Sequence, residues 1–198
     1  MADSQETAPP PRRRRADAQR SIDAILNASR VVLGQRPDAS MDDIATAAGV
    51  TRQTVYAHFP SRDALVTALI EAAAAEYLTA LDAAGLDSAP PAEALEHFLD
   101  AGWRFLRRHP MLLNPTAPRT PEPNHNALSD VVPPRLERLV TRGMETGDFD
   151  VALPASWLAA AIVGLQHAAA AEVAADHLLP QDAEALCLES ALRLCGSK

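Results

Sequence analysis

Arg52, Gln53 and Thr54 are the residues whose types and spacing could do the most specific chemistry in this chain, and that chemistry is recognition. A guanidinium pairs bidentately with guanine, a carboxamide with adenine, and a threonine methyl packs on thymine. The three fall on the first turn of a short helix expected from about Thr51 to Phe59, with Pro60 closing it. Ser40, Thr51 and Arg62 each stand at an expected helix start, where hydroxyls, backbone amides and a cation favour phosphate oxygens. The partner these groups imply is double-stranded DNA. Catalytic chemistry is poorly represented. There is no glycine-rich phosphate loop and no nucleophile elbow, and no catalytic residue is assigned. His97, His109, His125, His167 and His177 form no i, i+4 pair and are accompanied by no carboxylate or cysteine pattern, so neither a metal site nor a cofactor is expected.

Recognition of this kind needs two short helices held at a fixed angle, and residues 41–59 have the pattern for it. Ser40 can cap the first helix, with Asp42 and Asp43 at the positive end of its dipole. Ala45 supplies a small residue where two backbones approach, and Gly49 supplies a turn tolerant of positive φ. Ile44, Ala48, Val50 and Val55 supply the apolar contacts. This is helix-turn-helix spacing, in which the second helix enters the major groove.

The flanking residues sharpen the reading. The run Thr51-Arg-Gln-Thr-Val-Tyr-Ala-His-Phe-Pro-Ser-Arg-Asp-Ala-Leu65 resembles the signature of the TetR family of transcriptional regulators over about residues 15–80. The resemblance implies phosphate contacts for Tyr56 and His58. It also implies a three-helix head on a larger helical domain that binds a small molecule and dimerises through its last two long helices, here 156–175 and 184–194. Ala159, Ala160, Ile162, Val163, Leu165, Ala169, Ala170 and Val173 are the small and apolar residues expected to allow close packing there. Phe98, Trp103, Met111, Trp157 and His167, large or polarisable groups on mostly aliphatic helices, are the candidate ligand-binding residues. The function implied is a homodimeric repressor that binds a palindromic operator and is released by an effector. The alternative is a ligand-binding or interaction module with a degenerate head.

Composition fits an all-α chain. Of 198 residues, 40 are alanine, 47% are hydrophobic and 4% are aromatic; alanine on that scale favours helix. No strand-like alternation stands out. Helices are expected from Ala18 to Val32, from Ser61 to about Leu81, from Ala92 to Arg108, from Pro133-Pro134 to Gly143–Gly147, from Pro154 to about His177, and from Asp182 to Cys195. Residues 115–126, rich in proline, are expected to form a loop. The domains expected are a disordered basic arm (1–14, with Arg12–Arg15 able to attract or touch DNA), a head (15–62) and a body (63–198). The net charge of −8 is unevenly spread: residues 11–62 carry nine arginines against five aspartates, whereas acidic residues dominate beyond them. That asymmetry fits a polyanion-binding head on an acidic body. No run of about 18 apolar residues suggests a membrane span. The polar N-terminus has no apolar core of a secretory signal. Two cysteines, Cys187 and Cys195, fit a reducing cytoplasm and are expected to be inert thiols.

Overall fold

A computed structural model of the chain describes residues 11–110 and 127–196. Its regular elements among those residues are helices: α1 (Pro11–Gln35), α2 (Met41–Ala48), α3 (Arg52–His58), α4 (Arg62–Ala83), α5 (Pro91–Arg108), α6 (Ala127–Thr146), α7 (Ala155–Ala174) and α8 (Pro180–Leu194). They divide into two compact units, Met1–Leu69 and Ile70–Lys198, and the division falls inside α4. Met111 and the loop expected over 115–126 lie outside the described residues, as do residues 1–10 of the expected arm.

In the first unit the apolar positions of four helices converge. Ile25 and Leu33 of α1, Ile44 of α2, Val55 of α3 and Leu65 of α4 are all buried. Each such side chain contributes about 1.5–3 kcal/mol relative to exposure. Ser29 is buried among them at no polar cost, because its hydroxyl donates to the Ile25 carbonyl at 2.7 Å. Helix α1 starts at Pro11, so residues 11–14 are helical rather than part of an arm. Proline is well suited to a first helical turn, and the arginines that follow are good helix formers, so nothing in 11–17 interrupts the helix.

In the second unit, Leu95, Phe98, Leu136, Val140, Leu158 and Ile162 make a buried core shared by α5, α6 and α7. Gly102 permits a close approach between α5 and α7. A Cβ there would lie 2.3 Å from Gln166 Nε2, which donates to the Leu99 carbonyl at 2.8 Å. Helix α6 begins at Ala127, so Pro133 and Pro134 sit within it instead of opening it. Their fixed φ is helical; the loss is two N–H donors to the preceding turn, which the helix survives. Helices α4 and α7 are each long and apolar enough to cross a membrane by length and composition, with mean hydropathies of 1.5 and 1.3. In α4 that character has a plain use, since Leu65, Val66, Leu69, Ala73, Ala74, Tyr77 and Leu81 are buried. In α7 much of it stays on the surface.

Candidate nucleic-acid interface

The α2–α3 corner is set by local chemistry at three residues. Ser40 caps α2 through a reciprocal capping box: its hydroxyl accepts the Asp43 N–H at 3.2 Å, and its own N–H donates to Asp43 Oδ2 at 2.9 Å. Gly49 takes a left-handed conformation (φ 66°, ψ 28°). There its N–H reaches the Thr46 carbonyl while the Val50 N–H reaches that of Ala45, at 3.2 and 3.0 Å. This is the Schellman arrangement, which satisfies the last carbonyls of α2 and turns the chain at once into α3. Thr51 then caps α3, its hydroxyl accepting the Thr54 N–H at 3.1 Å. Buried Ala45 and Val55 complete the corner.

That corner turns the polar residues of α3 outward. Arg52 and Gln53 are exposed, and Tyr56 is 38% exposed. Gln53 makes no side-chain hydrogen bond to a described residue. Arg52 is held from two sides: Nη1 donates to Asp42 Oδ2 at 2.8 Å, and its guanidinium carbon lies 5.3 Å from the centre of the Tyr56 ring. Thr54 is half-buried with its hydroxyl 2.8 Å from that of Thr51, so it is drawn toward the cap rather than the open face. His58 is half-buried, its ring tilted against Phe59 at 6.4 Å.

Two residues expected at phosphates are engaged otherwise. The Ser40 hydroxyl also donates to Asp43 Oδ2 at 2.7 Å, and a carboxylate that close disfavours a phosphate. That hydroxyl, the Ser40 N–H and then Arg36 hold the Asp43 carboxyl below its ordinary range. Arg62 folds back onto the loop between α1 and α2, donating to the Pro37 carbonyl and to that of Ala39. It therefore braces the loop that leads into Ser40. Asp42 was legible only as a helix-dipole residue; its pairing with Arg52, ten residues on and across a turn, leaves no periodic trace in the sequence.

The body residues separate by burial. Phe98 and Trp103 are buried core, and the Trp103 indole N–H has no hydrogen-bond partner among the described residues. Trp157, 61% exposed, and His167, also exposed, lie on the outer surface of α7 and are not brought together with the other two. The α7 phase explains this: Leu158, Ala159, Ile162, Gln166 and Ala170 take the inward face. Ala159, Ile162 and Ala170 are thus used within the chain, whereas Ala160 is exposed. An open cleft of about 630 Å³ lies instead along α6, among Asp87, Glu137, Arg138, Arg142 and Glu145, and none of the expected ligand residues lines it. Among the described residues no group of three histidines, cysteines or carboxylates is placed to hold a metal. Cys187 and Cys195 are buried free thiols, and burial pushes both up to about 11.

Residues 25–69, which contain this corner, match the sequence model of bacterial regulatory proteins of the tetR family. Over these residues the chain is similar to the TetR family of regulators. Over 73 residues it is 40% identical to the HTH-type transcriptional repressor LfrR of Mycolicibacterium smegmatis, a match covering 37% of this chain and 36% of LfrR. It thus aligns with little more than a third of that relative's length. The fold extends further than the sequence match. The crystal structure of LfrR in complex with proflavine superposes with a TM-score of 0.69 at 24% identity, covering 88% of this chain and 96% of that one. The fatty acid degradation regulator FadR from Bacillus halodurans gives 0.71 at 20% identity, over 96% and 97%. The all-helical architecture of an N-terminal helix-turn-helix unit followed by a helical domain is that of TetR-like proteins.

Proposed function

We propose that this chain is a TetR-type transcriptional repressor that binds a palindromic DNA operator as a homodimer and is released by a small molecule held in its body. The observation that carries the reading is the outward face of α3, where Arg52, Gln53 and Tyr56 stand exposed on a helix whose angle Gly49 and two caps fix. Arg52 and Gln53 are competent base readers, which weighs against a degenerate head. Tyr56, His58 and Thr51 are assigned to phosphates. Thr54, whose hydroxyl is occupied by that of Thr51, is assigned to a thymine methyl. No catalytic role is assigned, and the compartment is the cytoplasm, where DNA is met.

Dimerisation is assigned to the surface of α7 and α8. Trp157, Ala160, Gly164, Ala168 and Ala171 recur three or four residues apart on the exposed side of α7, and Leu186 of α8 is 48% exposed. Small residues let two such helices approach closely, and a two-fold pair would cover apolar surface that one chain leaves in water. Release by an effector is supported by LfrR, whose structure carries proflavine; binding in the body acts only as far as it favours one spacing of the two heads. The test is selection of bound duplexes from a random pool. Two inverted half-sites about one helical turn or a multiple apart, ~34 Å per turn, are expected. Absence of any enriched sequence from folded, effector-free protein at moderate salt contradicts the proposal.

A further inference from the structure

We infer that Asp42 is a positioning residue that presets Arg52 for base reading and withholds it from the phosphate backbone. The inference rests on the proposal that α3 contacts DNA. The two carboxylates that open α2 have separate work. Asp43 closes the capping box on Ser40 and faces Arg36 at 3.4 Å. Asp42 has no part in that box; its carboxylate crosses the turn to Arg52 Nη1 at 2.8 Å. Its own position is firm, because it sits in the first turn of a helix capped at both ends.

The consequence lies in the geometry of the guanidinium. Asp42 takes the Nη1 side, and the Tyr56 ring lies beneath at 5.3 Å. The Nε–H and an Nη2–H remain as a parallel fork, the arrangement that meets guanine O6 and N7. An exposed arginine otherwise spreads over many rotamers, and one already held in place loses less freedom on binding. The pair is exposed on both sides, 63% for Arg52 and 57% for Asp42, so it adds little to stability. A negative charge beside the DNA-facing helix also lowers affinity for any duplex. The expected effect is weaker binding overall in exchange for sharper discrimination.

The test compares wild type, Asp42→Asn, Arg52→Ala and Arg52→Lys on duplexes selected by the wild-type chain and on the same duplexes changed at one base pair. Arg52→Ala identifies the base pair read, at which an arginine–guanine fork gives roughly 5- to 150-fold preference. Asp42→Asn is expected to reduce that preference several-fold and to strengthen binding to the changed duplexes, with a melting temperature lowered only slightly by the loss of one charge at the start of α2. Its salt dependence steepens by up to about 0.9 in log–log slope if the freed arginine reaches one phosphate. Arg52→Lys retains charge but not the fork, and is expected to lose the preference too. An Asp42→Asn protein that shifts affinity equally on all duplexes, preference intact, overturns the inference. If Arg52→Ala affects every duplex alike, Arg52 reads no base and the inference falls while DNA binding stands. If wild type selects no sequence, the DNA-binding proposal itself falls and takes the inference with it.

Discussion

Because the Arg52 guanidinium lies over the Tyr56 ring, the two residues can be separated only by a substitution that keeps the ring. Tyr56→Phe retains the surface beneath Arg52 and removes only the hydroxyl assigned to a phosphate. Affinity is expected to fall by a similar factor on every duplex, about 3- to 10-fold for one hydrogen bond, with base preference retained. Binding isotherms on a selected and an unrelated duplex check this; a loss confined to the selected duplex would reassign the hydroxyl. Asp43 belongs to stability instead. Its carboxyl lies below the ordinary 3.8 because the Ser40 hydroxyl, the Ser40 N–H and Arg36 favour the charged form. A depressed folded value gives stability that is complete above the unfolded value and fades as pH falls through the folded one. The stability gap between wild type and Asp43→Asn, measured by denaturant unfolding, should therefore be constant near neutrality and shrink below about pH 3.8. A gap that persists unchanged in acid would assign it to the side-chain change alone.

At the scale of elements, two glycines make contrasting demands. A Cβ at Gly49 would meet nothing within 4 Å, so Gly49→Ala is opposed only by its φ of +66°, at about 1–2 kcal/mol. At Gly102 the Cβ would strike the Gln166 carboxamide, displacing its hydrogen bond to Leu99. Overpacking costs about 1–3 kcal/mol, of which the better helix propensity of alanine returns up to about 1. The expected signature is coupling: Gly102→Ala should cost less in a Gln166→Ala background, while Gly49→Ala should cost the same in either. Equal penalties for Gly102→Ala in both backgrounds would contradict the contact. The same contrast explains what could be read from sequence. The bounds of α2 and α3 were legible because Ser40, Gly49 and Thr51 act on their own turns. Gln166 was visible only as an interruption in an apolar stretch, since its partner lies on another helix. Pro133-Pro134 have the local chemistry of a helix start, which points to the wrong residue for the start of α6; the helix begins six residues earlier, at Ala127. Residue type alone points Trp157 and His167 to a pocket, but it does not specify the face of α7 they occupy.

For the whole molecule, reading two half-sites requires two chains. A Cβ at Gly164 meets nothing within 4 Å inside the chain, and the residue is exposed on the surface assigned to the dimer. Gly164→Arg should leave the fold intact and place a bulky charge in the pairing surface, so sedimentation should show a monomer where wild type shows a dimer. A dimeric Gly164→Arg protein would move the interface elsewhere. The most direct measurement is the affinity of the wild-type chain for its selected palindrome, compared at one salt concentration with the same duplex carrying one scrambled half-site. Two heads reading two half-sites predict a loss of about 100-fold or more. Equal affinity for both duplexes would contradict recognition by a paired α3.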